Sequence, residues 1–244
     1  MNLIFWGSEN VGRTFHVFSL EHFLGVAFVA LLILIIRYFG DKLFTKDKAV
    51  RYTIAFVMFM QQFLLYLWYI SSGSFSLAES LPLYTCRIAI LLSIVMLIKK
   101  SYKIFELVYF WGIVGGIIAL ITPDTSSFAF PHLMFDQYFL GHGFLLAGIY
   151  YMMRLHGFRV KKSSLKKTFM ITIIYTLCII PINFLVGGNY SYLSGKPSSK
   201  TLLDLLPVYP YYVPIFIGIM FFFFYLAYLP FRESKTEDVQ VLVD

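Results

Sequence analysis

The stretch "LEHFLGVAFVALLILIIRYF", residues 20–39, carries no charge from Phe23 to Ile36 and has no polar face in between. At about 1.5 Å per residue, some 20 residues reach across a hydrocarbon core of about 30 Å. A helix that is greasy on all sides belongs in lipid, where only an internally bonded backbone is tolerated. The same texture recurs along the 244-residue chain, which is 59% hydrophobic and 20% aromatic but only 14% charged. Soluble domains need more polar surface than that, so the composition reads as a polytopic membrane protein.

Working outward from residues 20–39, the apolar blocks predict further spans at about 52–70, 83–98, 104–121, 138–153, 169–186 and 213–229. The expected fold is an all-α membrane protein, a single bundle of seven transmembrane helices forming one domain over residues 1–244. The longest connection, 187–212, is rich in Gly, Ser and Pro and reads as a folded loop over the membrane surface. The first 19 residues lack a basic start followed by an apolar core, so no cleavable leader is expected.

Basic residues fall on one side. The connections after the first, third and fifth spans hold Arg37, Lys42, Lys46, Lys48 and Arg51, then Lys99, Lys100 and Lys103, then Arg154, Arg159, Lys161, Lys162, Lys166 and Lys167. With Arg232 and Lys235 in the tail these make sixteen of the twenty basic residues, against Arg13, Lys196 and Lys200 on the other side and Arg87 within a span. The positive-inside rule then puts the amino terminus outside and the carboxyl terminus inside a cell membrane. The net charge of +7 is a topology signal and a grip on anionic lipid, and no nucleic-acid partner is needed to explain it.

Chemistry-bearing residues gather on the expected outer side. His16 and His22 flank the start of the first span, and Glu79, Cys86 and Arg87 stand at the start of the third. Asp124, His132 and Asp136 fill the connection after the fourth span, His142 lies one turn into the fifth, and Asn183 and Asn189 close the sixth. In "SLPLYTCRIAILLSIVML", residues 80–97, Pro82 suits a helix start and puts Cys86 in the first two turns. Free amides and the helix dipole there favour an anion, and the thiolate is the reactive form of cysteine.

Each candidate also has a plainer reading. A cysteine in a span packs as a small hydrophobe. Arg87 either snorkels to the headgroups or clamps a lipid phosphate. Burial opposes a thiolate, so a nucleophilic Cys86 needs a base. His142 is the first candidate for it, with His132 and His22 as alternatives or supports. His132, His142 and Asp136 lack the spacing of a metal motif, and no metal is expected. Gly112, Gly115 and Gly116 predict a close helix–helix approach, and Cys178, near mid-span, is a packing residue too deep for a disulfide with Cys86.

"LPLYTCRI" at 81–88, "GGIIALITPD" at 115–124, His132, His142, "NYSYLSGKP" at 189–197 and the following "LLDLLPVYPYY" together resemble the YwaF-type bacterial integral membrane proteins. That group is similar to animal transmembrane protein 164, regarded as an acyltransferase that moves fatty acyl chains between phospholipids through a cysteine. The resemblance implies Cys86 as nucleophile and His142 as its partner. The expectation is thus a membrane acyltransferase or lipid hydrolase acting on outer-leaflet phospholipid without a cofactor. Arg87, His132, Asp124, Asn189 and His22 are the expected substrate-binding residues. A non-enzymatic transporter or binding protein for small molecules or lipids is the alternative.

Overall fold

The computed structural model of the chain describes residues 3–8, 13–197 and 202–232. Lys200 and Lys235, both used in the charge argument, lie outside the described residues. Within them the chain is helical, with α1 (Leu3–Trp6), α2 (Leu20–Phe44), α3 (Asp47–Ser71), α4 (Thr85–Lys99), α5 (Tyr102–Ile121), α6 (Leu133–Leu155), α7 (Lys162–Val186) and α8 (Tyr212–Tyr228). Seven helices were expected and eight are found; the addition is α1, whose four residues are too few for a hydropathy signal. It docks on the end of α3, where Trp6 Nε1 donates to Ser71 Oγ at 2.8 Å and Trp68 Nε1 to the Gly7 carbonyl at 3.2 Å.

The other seven helices overlap the seven predicted segments. Five are long and apolar enough to cross a membrane: Leu20–Phe44, Asp47–Ser71, Tyr102–Ile121, Lys162–Val186 and Tyr212–Phe231. This is the arrangement of a multi-pass membrane protein. The two that miss the criterion do so for visible reasons. α4 has only 15 residues, and α6 interrupts its apolar residues with Asp136, Gln137, His142 and several glycines.

α6 can afford that polarity because it is the hub of the bundle. It packs against α2, α3, α4 and α5, whereas α7 and α8 lie against α5 on the far side. Phe139, Leu145, Ile149, Tyr151 and Met152 of α6 are almost wholly buried. Gly112 and Gly116 of α5 receive Ile149 and Leu146 of α6, the close approach expected of them.

Capping sets the helix starts. Ser19 accepts from the His22 amide to begin α2, and Ser101 from the Ile104 amide to begin α5. α6 begins at Leu133 rather than near Tyr138, because the His132 ring accepts the Met134 amide as an N-cap. α4 ends on Lys100 and α7 on Gly187, both left-handed, at φ 50° and 64°.

The two ends of the bundle differ in charge. The lysine-rich connections form a basic end, and Cys86 lies towards the other, the cysteine end. At the basic end Asp47 accepts from Arg51 Nε at 2.9 Å and Tyr151 Oη at 3.0 Å, and meets His156 Nε2 at 2.7 Å. Nearby, the buried Glu106 accepts from Ser164 at 2.6 Å and Lys167 at 2.9 Å.

Candidate functional site

Cys86 is the second residue of α4. Its sulfur lies beside α5, 3.2 Å from where a Cβ on Gly115 would stand. The residue is half-buried, and it is within electrostatic reach of Tyr138, Tyr175 and Tyr192, contributed by α6, α7 and the α7–α8 connection. Both cysteines are free, and Cys178 is exposed on α7.

The α7–α8 connection finishes the start of α4. Ser191 Oγ accepts the Thr85 amide at 3.2 Å, and Tyr175 Oη lies 2.5 Å from both Ser191 Oγ and the Leu83 carbonyl. Tyr190 Oη accepts the Leu81 amide at 2.9 Å and donates to the Leu77 carbonyl at 2.7 Å. Ser191 and Tyr192 reach these positions in the left-handed region, φ 54° and 56°, an unusual conformation for residues with side chains. Thr85 is thereby capped, while the Cys86 and Arg87 amides have no partner among the described residues.

His142 lies on the stripe of α6 that faces α5. One turn before it, Tyr138 Oη donates to the Ala119 carbonyl at 2.9 Å; one turn after it, Leu146 packs on Gly116. The imidazole packs against the Tyr138 ring, centroids 4.4 Å apart. Its Nδ1–H donates to the Tyr138 carbonyl at 2.8 Å, and Nε2, the acceptor of the neutral ring in that tautomer, has no partner among the described residues. Cys86 from α4 lies beside Gly115 of α5, and His142 from α6 packs on Tyr138, a residue within electrostatic reach of Cys86.

The other two candidate bases are differently employed. His22 Nδ1 accepts the Phe18 amide at 2.9 Å and Nε2 donates to the Leu120 carbonyl at 2.8 Å. His132 Nδ1 accepts the Met134 amide at 3.1 Å and Nε2 donates to the Gly7 carbonyl at 2.9 Å. Burial pushes the His132 imidazole below its ordinary pKa, and the bond to Gly7 opposes this. Both rings are structural ties with no nitrogen left over.

Arg87 is fully engaged by the loop before α4 and by Tyr69. Its guanidinium donates to the carbonyls of Glu79 (3.1 Å), Ser80 (3.3 Å) and Leu81 (3.3 Å) and to Tyr69 Oη at 2.7 Å, and sits over the rings of Tyr69 and Tyr84. It organises the loop before α4. Asn189 is a loop staple: Oδ1 accepts the Ser194 and Gly195 amides and Nδ2 donates to the Gly195 carbonyl. Asp124 accepts from the Ser126 amide at 3.2 Å and from Tyr192 Oη at 3.3 Å, which ties the end of α5 to the α7–α8 connection. Burial first, and then the Asp124 carboxylate, raise the Tyr192 phenol above its ordinary range and keep it a neutral donor.

Sequence reasoning missed Tyr175, Ser191 and a chain of buried amides. Gln62 Nε2 donates to Gln61 Oε1 at 2.8 Å, and Gln61 Nε2 to Gln137 Oε1 at 2.6 Å, linking α3 to α6. Gln62 Oε1 and Tyr66 Oη, one turn apart on α3, are buried without a partner among the described residues. Adjacent glutamines in the apolar run 52–70 were the available signal. Among the described residues no three His, Cys, Asp or Glu side chains form a group that could hold a metal ion.

The sequence profile of the TMEM164 family matches residues 17–228. A protein of Treponema pallidum (strain Nichols) described only as uncharacterized is 24% identical over 165 residues, 68% of this chain and 68% of its own. No solved structure matches.

Proposed function

Because the chain belongs to the TMEM164 family, we propose that this membrane protein transfers fatty acyl groups through Cys86, with His142 as base and the ester lipids around it as donors. The observation that supports this most is the contrast among three histidines. His22 and His132 have both ring nitrogens bonded, and His142 alone of the three keeps a ring nitrogen without a partner among the described residues.

In the first step His142 Nε2 takes the thiol proton as Sγ attacks the ester carbonyl carbon. A C–S bond forms, the ester C–O bond breaks, and the departing alkoxide receives the proton from His142. In the second step the hydroxyl of another lipid, or water, attacks the thioester, giving a new ester or a free acid and restoring the thiol. The unpartnered amides of Cys86 and Arg87 are the donors available to the oxyanion. Arg87 holds the preceding loop in this scheme, and the histidine takes the thiol proton.

Purified protein incubated with phospholipid tests the scheme. The expected result is an acyl adduct on Cys86 by mass spectrometry and lipid turnover that disappears in Cys86→Ala. Equal turnover by Cys86→Ala, with no adduct on the native chain, would overturn it.

A second reading, binding or passage of a small polar molecule, is favoured by the buried Gln61–Gln62–Gln137 chain with its open atoms at Gln62 and Tyr66. Solute flux into liposomes that persists in Cys86→Ala and falls in Gln62→Leu would support it over acyl transfer.

A further inference from the structure

Gly112, Gly115 and Gly116 carry one message in the sequence and two in the structure. A Cβ on Gly112 would meet Ile149 Cδ1 at 2.5 Å, and one on Gly116 would meet Leu146 Cδ2 at 3.1 Å, so both serve the packing of α5 on α6. A Cβ on Gly115 would meet the Cys86 sulfur at 3.2 Å and no other heavy atom within 4 Å. Gly115 is also part-exposed, between the buried Val114 and Gly116. It lies within α5 and is not among the residues of positive φ, so the backbone does not require a glycine there. What the missing side chain provides is room beside the sulfur.

Resting on the reading of Cys86 as an acyl-accepting nucleophile, we propose that Gly115 determines acyl specificity: the space beside Sγ receives the carbonyl and α-carbon of the incoming acyl group, and the donors are esters of fatty acids unbranched at the α-carbon. As Sγ bonds to the carbonyl carbon, that carbon becomes tetrahedral and its oxygen and α-carbon spread around the sulfur. A methyl group on the α-carbon, or a Cβ at position 115, competes for the same volume. Reaction geometry at this distance tolerates little displacement.

Activated esters test this without the native donor being known. Purified wild type, Gly115→Ala and Gly116→Ala are treated with p-nitrophenyl decanoate or with iodoacetamide, and modification of Cys86 is followed by intact-protein mass spectrometry. Gly115→Ala is expected to slow acylation by ~10-fold or more, since small misplacements at a reacting centre are costly, and to leave alkylation by the slim iodoacetamide nearly unchanged. Gly116→Ala, of matching tightness but facing Leu146, is expected to lower the melting temperature and keep the acylation-to-alkylation ratio of wild type.

Acylation of Gly115→Ala at the wild-type rate, or equal loss of acylation and alkylation, would overturn the assignment and leave the nucleophile reading standing. If Gly115→Ala does not fold, the wild type decides: the 2-methyldecanoyl ester is expected to react ~10-fold more slowly than the decanoyl ester, and equal rates overturn the proposal. A wild-type Cys86 that takes iodoacetamide but neither ester sinks the nucleophile reading, and this inference with it.

Discussion

The two ends of the bundle treat buried polar atoms differently. At the basic end Asp47, Arg51, Tyr151 and His156 satisfy one another, with Arg51 also bonded to the carbonyls of Leu97 and Ile98, and Glu106 is closed by Ser164 and Lys167. Towards the cysteine end His142 Nε2, the Cys86 amide, Tyr66 Oη and Gln62 Oε1 have no partner among the described residues, and Ser93 Oγ, midway along α4, has none either. Closed networks hold helices in register, whereas open polar atoms in a low-dielectric setting cost stability and persist where they have something to bind.

That contrast can be broken or sharpened by substitution. The largest effect is expected from Cys86→Ala, which should reduce acyl transfer at least ~10³-fold, as removal of a covalent nucleophile does, with the melting temperature nearly unchanged. His142→Ala follows, with a loss of ~10²–10⁴-fold in turnover for a missing general base; lipid turnover by mass spectrometry reads both. At the closed end Asp47→Ala should destabilise the fold by about 3–5 kcal/mol, because Arg51 would remain buried without its counterion. Thermal unfolding in detergent measures this, and the protein that stays folded should keep its turnover. His132→Ala should be the mildest, about 1–2 kcal/mol for a lost helix cap, again without loss of activity per folded molecule. A collapse of activity in His132→Ala equal to that in His142→Ala would erase the distinction between the histidines.

Much of this layout was legible in the sequence wherever one residue type suffices to signal it. The apolar blocks marked seven of the eight helices, and Pro82 put the start of α4 within two residues of Thr85. Errors arose where local chemistry had an unusual carrier. A histidine caps α6, so the polar Asp136 and Gln137 read as loop although they lie in its first turns. α3 begins at Asp47 instead of residue 52, because its charged first turn belongs to the closed network.

Of the candidate residues, Cys86 and His142 stand out in the sequence by type and depth, but nothing in the chain order reveals that the Arg87 guanidinium bonds Glu79, Ser80, Leu81 and Tyr69. Asn189 likewise reads from the sequence as a substrate-binding residue, and its amide holds its own loop. Ser191 capping Thr85, 106 residues away, is a tertiary fact with no local signature.

The Tyr190 hydroxyl, which joins the Leu77 carbonyl to the Leu81 amide, has a bearing on biosynthesis. Leu81 is translated 109 residues before Tyr190, a delay of roughly 5–20 s at bacterial to faster elongation speeds of about 5–20 residues per second. During that interval the entrance to α4 lacks this clasp and is held by the bonds of Arg87 to the carbonyls of Glu79, Ser80 and Leu81. Closure of the entrance to α4 is therefore timed by a residue synthesised 109 positions later.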